Sequence, residues 1–155
     1  MRQALLVCVL ALAAWPAVGQ STPVGLWRSI DDKTGTAKAE IRIRAGADGV
    51  LSGVVERALL TSDQPNCDLC ADDRKGKPKV GLEIIRGAKK AEDADVWEQG
   101  KILDPENGKN YTLRMTPLEG GSKLQIRGYV GPLYRTQVCT RVQQTSTRKT
   151  TMYRF

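Results

Sequence analysis

The chain has 155 residues, 24 Lys and Arg against 17 Asp and Glu, a formal net charge of +7, and no histidine. The missing imidazole excludes Ser-His-Asp and Cys-His catalysis, histidine zinc sites and a histidine pH switch. The length fits a single domain with one core.

Residues 1–19 read as a secretion signal. Arg2 supplies the positive start, Ala4 to Ala14 form the apolar run, and Ala17-Val18-Gly19 put small residues ahead of an expected cleavage after Gly19. The apolar run is well short of the roughly 20 residues a membrane-crossing helix needs, and no later segment approaches that length. The expected mature protein is therefore periplasmic or secreted, not transmembrane, and 155 less 19 leaves it 136 residues. Cys8 lies within the apolar run and belongs to the signal. Without Arg2 the balance is 23 basic against 17 acidic side chains, or +6. For an exported chain this argues against nucleic acid. It leaves peripheral contact with an anionic envelope, an anionic ligand, or a solvated mixed-charge surface.

Eight extended segments follow, separated by turn signals. Val24 to Ile30 is the first, and Asp31 to Gly35 the first turn. Ala37 to Arg44 alternates strictly, with Ala37, Ala39, Ile41 and Ile43 opposite Lys38, Glu40, Arg42 and Arg44, the period of a half-buried strand. Ala47-Asp48-Gly49 turns the chain into Val50 to Glu56. After the long polar loop Ala58 to Lys79, Val80 to Ile85 is the fourth strand. Val96 to Leu103 is the fifth, reached through the charged connection Gly87 to Asp95. Asp104-Pro105-Glu106-Asn107-Gly108 is a turn, since Pro105 presets φ and Gly108 accepts a positive one. Tyr111 to Met115, Lys123 to Val130 and Tyr134 to Val142 complete the set, the last two joined by Gly131-Pro132. No segment holds a helical period over three turns. The expected fold is all-β: an antiparallel up-and-down barrel of about eight strands over residues 20–142, followed by a polar tail at 143–155. Closing such a sheet removes its exposed edges.

Gly25-Leu26-Trp27 gains its weight from position, at the start of the first strand. In a small barrel the glycine lets that strand bend across one end while the indole plugs it. Arg141, near the end of the last strand, is placed to lay its guanidinium over Trp27. Cys67 and Cys70 form a C-x-x-C among Asp68, Asp72 and Asp73, surroundings that oppose a lowered thiol pKa. A local disulfide is the expected state, and Cys139 the odd, buried thiol. Glu83 interrupts an apolar strand and, with Asp104, is the carboxylate to inspect for acid-base chemistry. Arg127, Tyr129 and Arg135 share one parity and would form an anion-binding set if that face lined the cavity. The Ala58 to Lys79 loop could lie over the open mouth as a lid.

Gly25-Leu26-Trp27 with a late-strand arginine resembles the lipocalin and calycin superfamily signature. A longer, ordered set resembles the exported bacterial proteins grouped as domain-of-unknown-function family 2147. It comprises Gly25-Leu26-Trp27, Gly81-Leu82-Glu83-Ile84-Ile85, Ile102 to Lys109, Arg127-Gly128-Tyr129, Arg135-Thr136-Gln137 and Thr140-Arg141-Val142. Cys139 stands where members of that family often carry a tryptophan. The resemblance implies a lipocalin-like barrel over nearly the whole mature chain and no established activity. The expected function is binding of a small apolar or amphipathic molecule inside the barrel, without catalysis, cofactor or metal. The alternative is a structural or interaction protein of the envelope with a filled barrel.

Overall fold

A computed structural model describes residues 21–31 and 33–143. The expected signal and all of the expected tail after residue 143 lie outside the described residues. Among the described residues nine strands form one antiparallel sheet: β1 (Gly25–Ile30), β2 (Ala37–Ala45), β3 (Leu51–Ala58), β4 (Glu83–Lys90), β5 (Trp97–Glu98), β6 (Lys101–Asp104), β7 (Lys109–Leu118), β8 (Lys123–Val130) and β9 (Leu133–Arg141). Each consecutive stave pairs with the next, and β1 pairs with both β2 and β9, so the sheet closes on itself. β5 and β6 both lie between β4 and β7 and together make one broken stave, so the barrel has the expected eight positions.

The break replaces the continuous strand expected over Val96 to Leu103. Gln99 has φ 66°, and a Cβ on Gly100 would lie 2.7 Å from both the Ala88 nitrogen and the Arg86 carbonyl oxygen. The backbone therefore bulges against β4 at a point that side-chain alternation does not reveal. The fourth strand is also displaced, to Glu83–Lys90 instead of Val80 to Ile85. Gly81, with φ 87°, turns the chain before the strand starts, and its amide donates to the Val55 carbonyl at 2.7 Å. The segment expected as a charged connection is thus strand as far as Lys90.

The expected period of two builds the wall. Ile41 and Ile43 of β2 point inward, while Arg42 reaches out to clasp Glu56 of β3 through Nε–Oε2 at 2.7 Å and Nη2–Oε1 at 2.9 Å. Trp27, Ile43, Ile85, Leu103, Leu113, Met115 and Leu124 are fully buried and form the packed centre. Burying each such side chain contributes about 1.5–3 kcal/mol before entropy is set against it.

The two ends of the barrel differ. One carries residues 22–24, the β2–β3 and β4–β5 turns and the short 3₁₀ turn Glu119–Gly121. The other carries the β1–β2 turn, the long loop at 59–82, the turn at 105–108 and the two-residue turn Gly131-Pro132.

Candidate functional site

The first end is sealed by the pair that the sequence singles out. Trp27 is fully buried and its Nε1 donates to the Pro23 carbonyl at 2.6 Å. The Arg141 guanidinium carbon sits 4.1 Å from the indole centroid. Its nitrogens donate to three carbonyls: Gly121 at 2.6 Å, Val24 at 2.8 Å and Thr22 at 2.7 Å. Trp27 faces Arg141 across the β1–β9 seam, so one residue pair both closes the sheet and corks it. Gly25 has φ +143°, and a Cβ there would lie 2.4 Å from Arg141 Nη1. Only glycine lets the guanidinium reach the carbonyls beneath it.

The opposite end is hollow. A cavity of about 470 Å³ opens there, walled by Ile41, Val55, Ile84, Ile102 and Ile126, with Val130 and Leu133 at the rim. Polar side chains that border it are largely engaged by the protein. Ser29 Oγ donates to the Ala39 carbonyl at 3.3 Å, and Gln137 Nε2 to the Ile30 carbonyl at 2.9 Å. Asp104 accepts from the Glu106 amide at 2.9 Å and from Asn107 Nδ2 at 3.1 Å, and Asn107 Nδ2 also donates to the Tyr111 hydroxyl at 2.9 Å. Lys38 and Arg135 add positive charge at the margin.

The long β3–β4 loop lies at this end, where a lid would be, but it is fastened. Cys67 and Cys70 are disulfide-bonded and buried, with Cα atoms 5.4 Å apart. A Cβ on Gly108 would collide with the Leu69 carbonyl, so the loop packs directly on the backbone of the turn at 105–108. Arg74, only 4% exposed, ties the loop to the wall: Nη1 donates to the Glu83 carbonyl at 3.0 Å and Nη2 to Asn110 Oδ1 at 2.6 Å, while the guanidinium clasps Asp72. Hydrogen bonds from Arg74 hold the Asp72 carboxyl far below the usual carboxylate range. Sequence reading did not single out Arg74. Its available signal was an arginine two residues after an aspartate in a loop already expected to carry a disulfide.

The structure separates the remaining candidates. Glu83 does not line the cavity: its carboxylate pairs with Arg86 Nε at 2.5 Å, and Arg86 also holds Asp73 at 2.8 Å. The two acids raise the Arg86 pKa, and the Arg86 hydrogen bond lowers that of Asp73. Arg127 and Tyr129 also fall outside the cavity lining, and Arg135 alone of that trio borders it. The reason is register. Arg127 lies opposite Thr136 and Arg135 opposite Gly128, because Val130 pairs with Leu133 across a two-residue turn. Residues of equal parity on the two strands therefore face opposite sides. The expected common face of Arg127, Tyr129 and Arg135 is corrected accordingly. Arg127 sits 5.2 Å from the ring centroid of Tyr134, which borders the cavity mouth, and the Tyr129 and Tyr134 rings pack at a tilt of 44° with centroids 5.6 Å apart. Cys139 is buried and takes no part in the disulfide. Among the described residues no group of three or more Cys, Asp or Glu is placed to hold a metal ion, and no helix is long and apolar enough to cross a membrane.

A closed antiparallel barrel with eight strand positions, an arginine-capped tryptophan at one end and a hollow at the other defines a lipocalin-like fold. The chain belongs to the bacterial family described as "Uncharacterized protein conserved in bacteria (DUF2147)", whose model matches residues 25–141. Among solved structures it is similar to a Helicobacter pylori protein described as "Protein HP1028 from the human pathogen Helicobacter pylori belongs to the lipocalin family". The TM-score is 0.65 at 13% identity, covering 77% of this chain and 82% of that one. At that identity the likeness is one of fold. The search of curated proteins finds no match.

Proposed function

We propose that this protein is an exported, non-catalytic carrier that holds one small apolar or amphipathic molecule in the open half of its barrel. The carrying observation is the cavity of about 470 Å³, within the roughly 300–1,000 Å³ usual for small-molecule sites. Its walls are branched aliphatic side chains, and the bordering amide, hydroxyl and carboxylate groups mostly satisfy one another or the backbone. An apolar guest would therefore displace water without stripping those groups of partners. Charged Lys38 and Arg135 at the margin suit a guest whose polar end stays near the mouth. The signal-like residues 1–19 support export. A binding role is favoured over catalysis because Glu83, engaged by Arg86 outside the lining, and Asp104, engaged in its own turn, do not converge on the cavity.

The test is native mass spectrometry of protein purified gently from its own envelope, paired with titration by an environment-sensitive naphthylamine probe. The expected results are a mass above that of the bare chain and saturable, one-to-one probe binding. A bare chain that also fails to take up the probe would return the protein to the reading of a structural barrel.

A further inference from the structure

The end of the barrel that carries the cavity also carries an uncompensated apolar tip. From Gly128 to Tyr134 the chain contains no charged residue, and this stretch is the β8–β9 turn with its flanks. Val130, Leu133 and Tyr134 are 56%, 74% and 60% exposed, values opposite to what large apolar side chains take when they serve the fold. Leu60, in the loop at the same end, is 40% exposed. The Tyr129 and Tyr134 rings pack at a tilt beside the tip, and Arg127 and Arg135 flank it, one on each face of the hairpin.

The charge on the β8–β9 hairpin itself has one sign. From Lys123 to Arg141 the sequence contains no acidic residue, and of its four basic ones Arg127 and Arg135 lie next to the tip, while Lys123 pairs with Glu119 and Arg141 caps Trp27 at the closed end. On the turn at the same end, Glu106 is held by Lys79 at 3.3 Å and approached by Lys38 at 3.9 Å, and Asp104 is engaged within its own turn.

We propose that the β8–β9 tip docks the mouth of the barrel on an anionic lipid surface, with Leu133 and Val130 entering the headgroup boundary. Tyrosine rings with one apolar and one wet edge suit that depth, and arginines can bury their stems while their charges reach lipid phosphates. A protein partner fits less well, since the tip is a narrow convex point and lacks the flat area of a stable protein interface. Docking there sets the cavity mouth against the bilayer, so an amphiphile passes between the two without crossing bulk water.

Vesicle flotation with the full protein tests this. Vesicles of phosphatidylethanolamine and phosphatidylglycerol should carry the protein up the gradient, and vesicles of phosphatidylcholine alone should not. Raising the salt should release it, each basic residue at the surface being worth about fivefold in affinity at low ionic strength. Leu133→Asp places a charge at an exposed position and should reduce flotation by at least about tenfold. Leu133→Trp should give an emission that shifts to the blue on anionic vesicles and is quenched by brominated lipid, because Trp27 and Trp97 are already buried. No flotation, flotation of Leu133→Asp equal to that of the parent, or retention only on vesicles that carry envelope proteins would each overturn the proposal. Flotation needs no occupied cavity and the probe titration uses no lipid, so the surface and the carrier reading can fail separately.

Discussion

Replacing Gly25 by alanine should loosen the closed end of the barrel through two separable costs. The first is conformational: φ of +143° is a region that residues with a Cβ rarely adopt, and holding one there costs about 1–3 kcal/mol. The second is steric. The new methyl would lie 2.4 Å from Arg141 Nη1, so the guanidinium must retreat from the Trp27 face and from the carbonyls of Thr22 and Val24. A desolvated cation-π contact and the charged hydrogen bonds are each worth about 2 kcal/mol, and a retreat that forfeits half of both costs about 2 kcal/mol in all. The combined cost should be about 3–5 kcal/mol, a large share of the 5–15 kcal/mol that usually holds a domain together. For a chain of this size it corresponds to a fall in Tm of about 10–15 °C. Differential scanning calorimetry on Gly25→Ala, Arg141→Met and the double variant measures both parts. In the Arg141→Met background the alanine should cost only the conformational part, leaving a coupling of about 2 kcal/mol. A Gly25→Ala protein melting within about 2 °C of the parent, or a cost undiminished in the Arg141→Met background, would refute this account of the seal.

Further outcomes follow from the open end. Ala39→Trp, which projects an indole into the cavity from a lining position, should weaken naphthylamine probe binding by at least about tenfold while Tm moves by only a few degrees; fluorescence titration and a melt check both. Replacing Cys67 and Cys70 together by serine should cost about 2 kcal/mol in urea denaturation, since so short a loop loses little chain entropy when bridged. Asp72, held low by Arg74, contributes stability that is fully present above its ordinary pKa of 3.8 and is lost as pH falls toward the depressed folded value. The stability difference between the parent and Asp72→Asn should therefore be constant from pH 7 to about 5 and shrink below about 4, as followed by urea titrations across that range.

Much of the wall was legible in the chain because a strand declares itself locally. Ala37 to Arg44 alternates on its own, and β2 covers that stretch. Breaks were not legible: the bulge at Gln99-Gly100 exists because β4 approaches the backbone there, and nothing in the segment's own side chains records its neighbour. The trio Arg127, Tyr129 and Arg135 was grouped by a parity that holds along one strand and reverses across a two-residue turn. The lid-like loop was visible as a long polar insertion, but the grip of Arg74 on the Glu83 carbonyl and Asn110 joins residues 9 and 36 positions away.

Sequence by itself determined the number of staves, the glycine, tryptophan and arginine that seal one end, and the cysteine pair, since each depends on residue type and short-range spacing. The tertiary structure decided that the other end is hollow and apolar, and which side of the last hairpin each charge occupies. A cavity is the difference between the volume a closed sheet encloses and the side chains that reach inward. That difference depends on strand tilt, register and rotamers around the whole ring, and no local segment contains it.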